Sequence, residues 1–259
     1  DRLTGETLRL SVSSAGQEGH GASTDPRISD DGTRVAFLSA AFDLVADDAN
    51  GAIDVLVRDL AAGTTTRVNV SPLGGDADLG ASDPAISGDG RFVAFASAAT
   101  NLVVGDTNAV TDVFVRDLAG ATTSRVSLAS TGGQADRASI RPALSRDGRF
   151  VAFLSSASTL VAGADGTSQA YVRDRTALTT TRALTASSVS WAQLSADGRY
   201  LAVAATGGVV VRDRFAATTF VPTGAASWLW PALAADGSYV IALDAGVTGG
   251  ALMAAAALP

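Results

Sequence analysis

The chain has 259 residues, with 26 acidic and 19 basic side chains and a formal net charge of −7. The absence of Cys excludes disulfides and thiolate sites, and a single His disfavours zinc sites, which need several nitrogen or sulfur ligands. The negative charge argues against a nucleic-acid partner, and the longest apolar run, residues 251–259, is too short to span a membrane.

A short pattern, Ser-x-Asp-Gly, recurs along the chain and defines an internal repeat. Its Asp-Gly pairs begin at residues 31, 89, 147 and 197, and a fifth copy at 236 has lost the Ser. A second pattern, Val-Arg-Asp, recurs at 57–59, 115–117, 172–174 and 211–213. Its Arg and Asp residues are expected to have a structural role and to pair across the strands with Arg67, Arg125 or Arg182. The copies of Asp-Gly lie 58, 58, 50 and 39 residues apart, so one unit occurs five times and shortens toward the carboxyl end.

Each unit contains four short segments with β-forming composition and no helical periodicity. In the second unit the predicted strands are 84–87, 91–97, 112–117 and 122–128. Gly90 supplies the positive φ that the tight turn between the first two strands needs. Four-stranded antiparallel units of this length, repeated five times, predict an all-β, five-bladed β-propeller in a single domain over residues 1–259. The expected blades are 25–71, 83–129, 141–186, 190–223 and 231–259.

The last unit lacks a fourth strand. The start of the chain resembles the end of a unit, because Arg9 and Ser13 fall on Arg67 and Ser71 when the numbering is shifted by 58. We therefore expect residues 6–13 to form the missing strand and close the ring, which would remove two exposed strand edges. The alternative is that upstream blades once preceded this chain.

The repeat also carries a family resemblance. The run 84–97, Pro-Ala-Ile-Ser-Gly-Asp-Gly-Arg-Phe-Val-Ala-Phe-Ala-Ser, resembles the repeat of TolB-like propellers, and 101–118 resembles its long-unit variant in bacterial exported proteins. The resemblance implies a propeller that is periplasmic or secreted and that binds protein partners. It does not imply the partners of TolB itself, which has a further domain.

Two loops between second and third strands share the form Asp-x-Asn-x-x-x-Asp, which resembles the first half of a calcium-binding loop. The candidate calcium ligands are Asp48, Asn50, Asp54, Asp106, Asn108 and Asp112. The Glu that closes such loops is absent. The alternative is that these residues form Asx turns and cap the third strand.

The residue before the Pro that opens each first strand, or its equivalent, is expected at the rim of the central channel. With the nearby Trp228, these positions form a candidate ligand-binding set: Asp25, Asp83, Arg141, Trp191, Trp228 and Trp230. Aromatic faces beside charged groups suit a peptide or a sugar. The alternative is that the Trp side chains fill space left by the shorter loops of the last two blades.

We therefore expect a non-enzymatic exported scaffold that binds a protein, peptide or glycan at its top face, through the loops between second and third strands and the channel rim. Calcium is a candidate stabilising ion. The first alternative is a carbohydrate-active hydrolase that uses channel carboxylates such as Asp25 and Asp83, since glycoside hydrolysis needs a pair of acids. The second alternative is a structural domain of a larger surface protein. His20 is expected to be an exposed polar residue, and no Gly-x-Ser-x-Gly pattern accompanies it.

Overall fold

The computed structural model describes residues 4–184, 188–222, 228–244 and 252–257, which form strands and no helix. Accordingly, these ranges contain no helix that is long and apolar enough to cross a membrane. The strands are β1 (Ser23–Ile28), β2 (Arg34–Ser39), β3 (Asp54–Asp59), β4 (Thr64–Arg67), β5 (Ala81–Ile86), β6 (Phe92–Ser97), β7 (Asp112–Asp117), β8 (Thr122–Arg125), β9 (Ser139–Leu144), β10 (Phe150–Ser155), β11 (Gln169–Asp174), β12 (Thr179–Arg182), β13 (Trp191–Leu194), β14 (Tyr200–Ala205), β15 (Gly208–Asp213), β16 (Thr218–Phe220), β17 (Trp228–Leu233), β18 (Tyr239–Asp244) and β19 (Leu252–Ala257).

These strands form five antiparallel sheets in chain order, each a meander. Blades 1 to 4 contain β1–β4, β5–β8, β9–β12 and β13–β16, and blade 5 contains the three strands β17–β19. The predicted all-β architecture of four-stranded antiparallel units is therefore confirmed. In each blade the first strand is innermost, and we call the edge where it begins the top and the edge with the Asp-Gly turn the bottom.

The Asp-Gly turns join the first two strands of each blade and link neighbouring blades. In blade 1 the Asp31 carboxylate accepts hydrogen bonds from the Ser29 hydroxyl at 2.6 Å and the Thr33 N–H at 3.0 Å. These bonds lower the pKa of Asp31 to about 2, with Ser29 as the largest cause. The glycines at the corners have φ between 67° and 71°, as the turn requires.

The turns also contact one another across the blade boundaries. Asp30 N–H donates to the Gly88 carbonyl at 3.0 Å, and two equivalent bonds connect the turns of blades 3 to 5. Between blades 2 and 3 the donor lies one residue later, with Asp89 N–H donating to the Arg146 carbonyl at 3.1 Å. The ring of Phe92 lies against Gly148 of the next blade, where an added Cβ would stand 2.3 Å from the Phe92 side chain. Only glycine fits this contact, and Phe150 over Gly198 repeats it.

The hydrophobic core lies between the sheets, so each inner blade buries both of its faces. Phe95 and Phe114 of blade 2 stack at 5.7 Å and pack against blade 1, while Val113 and Val115 pack against blade 3. Burial on both faces explains why these strands are apolar at almost every position. Burying one such Phe side chain contributes roughly 1.5–3 kcal/mol.

The amino-terminal segment resembles the loop that follows the fourth strand of a blade. Val12 bridges Glu18, just as Val70 bridges Asp76. The expected strand over 6–13 is not formed, however, and none of its described residues pairs with β19. β1 is exposed at five of its six residues. Closure of the ring by this segment therefore stays a prediction.

One structural expectation was wrong. We expected the Val-Arg-Asp residues to pair with the arginine that ends the fourth strand, such as Arg67. Instead, Asp59 accepts a hydrogen bond from Arg34 Nε at 2.9 Å, because β2 and β3 place these two residues opposite one another. Arg67 contacts the top loops, as described below.

Candidate functional site

The first strands of four blades line one cavity of about 400 Å³ in the central channel. Four residues predicted from the sequence to form the channel rim all line this cavity: Asp25, Asp83, Arg141 and Trp191. Each comes from a different blade. The repeat therefore places four different side chains at the same position around one axis, and we call this set the channel mouth.

A backbone irregularity aims these side chains into the cavity. Asp25, Asp83 and Arg141 have φ of 50°, 51° and 52°, each directly before a Pro. The pairing with the second strand shifts register at these residues, so each of them lies in a β-bulge. A left-handed conformation costs of order 1 kcal/mol for a residue with a Cβ. The same strained conformation thus recurs at one position in three blades.

The polar groups of the channel mouth are held by each other. Asp83 Oδ2 accepts the Arg141 N–H at 3.3 Å, and the guanidinium lies 5.7 Å from the centre of the Trp191 ring. The guanidinium also donates to the Ser190 carbonyl. A planar cation thus lies beside an indole, and two carboxylates line the same cavity.

Two further polar side chains line the same cavity and were not predicted from the sequence. Arg27 and Gln193 stand two positions after Asp25 and Trp191 on the same strands, and side chains two apart share one face of a strand. That period-two relation could have identified them. Trp228 and Trp230 lie on β17 and were predicted for the same rim, but their side chains lie outside the described residues.

The first candidate calcium loop converges on an arginine. Arg67 Nη1 lies 3.3 Å from Asp48 and 3.2 Å from Asp54, and Arg67 Nη2 lies 2.5 Å from Asp76. Asn50 instead accepts the Ala52 N–H at 2.8 Å, which is the Asx turn considered as the alternative. Burial, followed by repulsion from Asp54, raises the pKa of Asp48.

The second loop repeats this arrangement. Arg125 Nη1 contacts Asp106 at 2.7 Å and Asp112 at 3.1 Å, and the Gln134 amide oxygen at 3.0 Å. Asn108 donates to Asp112 at 2.8 Å. In both loops a guanidinium is the cation among the carboxylates, so the residues as placed do not fit calcium. Calcium binding stays a prediction from the sequence and would require the arginine to leave.

Comparisons with solved structures place this architecture among known propellers. TolB from Acinetobacter baumannii superposes with a TM-score of 0.55 at 17% identity, over 92% of this chain and 52% of that one. A putative TolB from Agrobacterium tumefaciens gives 0.58 at 17%, over 88% and 72%. An oligogalacturonate lyase in complex with manganese gives 0.62 at 14%, over 92% and 65%. The chain thus spans about half the length of the first of these proteins. No family model and no curated protein matches the sequence.

The chain has a TolB-like β-propeller fold.

Within this TolB-like propeller, the channel mouth brings charges of both signs together with an aromatic ring in one cavity. It has the chemistry to bind: carboxylates that accept, a guanidinium that donates and an indole that stacks. Among the described residues, no group of three or more His, Cys, Asp or Glu is arranged to hold a metal ion.

The single histidine lies away from the channel mouth, as an exposed polar residue. Its side chain is 78% exposed, and its Nδ1 contacts the Asp43 carboxylate, which also accepts the His20 N–H at 2.9 Å. Asp43 raises the pKa of His20, first through this hydrogen bond and then through its charge. Phe42 stacks on the imidazole at 6.3 Å.

Proposed function

We propose that this protein is a binding module that holds part of its ligand in the channel mouth. One observation carries the proposal: four blades contribute Asp25, Asp83, Arg141 and Trp191 to one cavity of about 400 Å³. Ligands usually bind in concave, partly apolar cavities where a few polar groups converge. The fold alone would not support this assignment, because propellers serve many functions.

The charges of the channel mouth favour a peptide over a neutral sugar. Asp25 and Asp83 suit an ammonium or guanidinium group, whereas Arg141 suits a carboxylate, and Trp191 offers an apolar face to the carbon skeleton between them. A peptide segment that carries both charges satisfies all four. A glycan that stacks on Trp191 and bonds the carboxylates is the other ligand class in this proposal.

The proposal is tested by screening peptide and glycan arrays, followed by titration of the strongest ligand against variants. Trp191→Ala, Asp83→Asn and Arg141→Gln are each expected to weaken binding about tenfold or more, since buried aromatic and Arg contacts dominate binding energies. Arg137→Gln, an exposed arginine outside the cavity that bonds the Gly166 carbonyl, is the matched control and should bind normally. Equal affinity in all four variants would refute the assignment.

A carbohydrate-active hydrolase is the second candidate, because two carboxylates, Asp25 and Asp83, line one cavity. A structural neighbour is an oligogalacturonate lyase, so a similar fold occurs in an enzyme. Turnover of an oligosaccharide that is abolished by Asp83→Asn would favour this candidate. Binding without turnover would favour the binding module, and the absence of any ligand would favour a structural domain.

Export to the periplasm or out of the cell is part of the proposal and rests on the resemblance of the repeat. Fractionation of cells that produce the full-length protein tests it. Recovery of the protein in the cytoplasm would overturn this part of the proposal without affecting the binding site.

A further inference from the structure

Asn50 is followed by Gly51, and this is the sole Asn-Gly pair in the sequence. In such a pair the main-chain nitrogen of the Gly can attack the side-chain amide carbon of the Asn, because glycine has no Cβ to hinder the approach. Gly51 is exposed, and no atom lies within 4 Å of the position that an added Cβ would take. Its N–H donates a hydrogen bond to none of the residues that the structure describes. The nucleophile is therefore accessible.

The Asn50 amide has hydrogen bonds that activate its carbonyl group. Its Oδ1 accepts the Ala52 N–H at 2.8 Å. Attack on the amide carbon places negative charge on this oxygen, so a donor that already points at it stabilises the intermediate, as in an oxyanion hole. The nitrogen is held less closely, because Nδ2 lies 3.4 Å from Asp54 Oδ1 and 3.2 Å from the Ala77 carbonyl. The atom that must leave is thus the more weakly held end of the amide.

Blade 2 contains the same loop with the opposite balance of contacts. Asn108 Oδ1 accepts the Val110 N–H at the longer distance of 3.4 Å. Its Nδ2 donates to Asp112 at 2.8 Å and to the Ala135 carbonyl at 3.0 Å. Ala109 follows, with a φ of 56°, so a Cβ stands next to the main-chain nitrogen. In this copy the carbonyl is less activated, the nitrogen is held more closely and the approach is hindered.

We propose that Asn50 is a self-modification site, at which the chain converts this side chain into aspartate or isoaspartate. The Gly51 nitrogen forms a bond to Asn50 Cγ and gives up its proton to solvent. The Cγ–Nδ2 bond breaks, and the side-chain nitrogen takes up a proton and leaves as ammonia. The product is a cyclic succinimide, and water then adds to one of its carbonyl carbons. Opening of the bond to Cγ gives aspartate, whereas opening of the main-chain bond gives isoaspartate.

The reaction replaces a hydrogen-bond donor by an acceptor in the top loop of blade 1. The new carboxylate at position 50 faces the Asp54 carboxylate and the Ala77 carbonyl, both of which lose the Nδ2 donor. Acceptors that lose their donor destabilise a folded protein, and the like charges add repulsion. Isoaspartate also inserts an additional carbon atom into the main chain of the turn. This site is separate from the channel mouth and does not depend on the function proposed for it.

The test is incubation of the full chain in native buffer at mildly alkaline pH, followed by peptide mass spectrometry that distinguishes Asn, Asp and isoaspartate. The same protein in urea gives the rate for the unfolded chain. Position 50 should react at least as fast in the folded protein as in urea, whereas Asn108 should stay intact. Gly51→Ala should slow the reaction about tenfold or more, the factor that one steric contact or hydrogen bond contributes to a rate.

Ala109→Gly separates the geometry from the sequence, because it gives Asn108 a following glycine at a residue whose φ is already positive. In the folded variant, position 108 should still react about tenfold more slowly than position 50, since its carbonyl oxygen lacks a close donor. In urea the two positions should react at similar rates. Equal rates in the folded variant, or a reaction at position 50 that requires urea, would overturn the proposal.

Asn50→Asp represents the aspartate product and measures the consequence for the fold. Its melting temperature should be lower than that of the wild type, because the carboxylate faces two acceptors. An unchanged melting temperature would overturn the claim that the modification loosens this loop.

Discussion

Gly148 provides the sharpest test of how the blades are joined. In Gly148→Ala the new Cβ would lie 2.3 Å from the Phe92 ring, and the residue would keep a φ of 67°. A ring that is packed between two blades has little room to move, so the substitution adds overpacking to backbone strain.

Each part of this loss has a typical size. Left-handed backbone costs roughly 1–2 kcal/mol for alanine, and overpacking in a core costs about 1–3 kcal/mol. We expect Gly148→Ala to lower the free energy of unfolding by about 2–5 kcal/mol. Urea unfolding followed by Trp fluorescence measures it, with an unchanged slope as the condition for comparison.

Gly32→Ala is the matched control. Gly32 has the same place in its turn and a φ of 70°, but no atom lies within 4 Å of the position that an added Cβ would take. It should lose only about 1–2 kcal/mol. A loss at Gly148 no greater than this would refute the packing argument. A larger loss at Gly32 would mean that blade 5 closes on blade 1 there, with Tyr239 in the place that Phe92 takes over Gly148.

Three further predictions concern other contacts. Ser130→Ala should lower the free energy of unfolding by about 1 kcal/mol, because the Thr180 N–H loses its partner. Thr131→Ala is the control, and an equal free energy of unfolding in the two variants would contradict the role of this bond. The NMR titration of His20 should give a pKa above 6.5 that returns toward 6.5 in Asp43→Asn. Since folding raises the pKa of His20, its pair with Asp43 stabilises the protein below pH 6.5, and this contribution is lost as the pH rises through the folded pKa. An unchanged His20 pKa in Asp43→Asn would contradict this interaction. The melting temperature should be the same in calcium and in EDTA, because Arg67 and Arg125 occupy the centres of the two loops; a higher value in calcium would support the calcium site instead.

The repeat was enough to predict most of the fold. The predicted strand 112–117 is β7, and the strand predicted at 91–97 begins one residue later, at Phe92. Asp-Gly turns and β-forming runs are local signals, and they recur in register, so one unit predicts the others. The pairing of the chain ends was not accessible in this way, because nothing local determines which edges meet.

The candidate site was predicted in its positions but not in its geometry. Asp25, Asp83, Arg141 and Trp191 were found because the repeat assigns them one place. In the sequence, nothing except the following Pro marks the left-handed bulge at Asp25, Asp83 and Arg141. The calcium hypothesis was based on the local spacing of the carboxylates. The Arg67 guanidinium that contacts them comes from a residue 13 positions after Asp54. Contacts at that separation follow from sheet pairing and not from spacing.

The central claim is that the channel mouth holds the ligand. The most direct test is a crystal structure of the protein with the tightest peptide or glycan found on the arrays. We expect the ligand to lie within the cavity, with a cationic or hydroxyl group on Asp83, an acceptor on Arg141 and carbon atoms against the Trp191 ring. A ligand bound outside this cavity, with these three side chains unchanged, would contradict it.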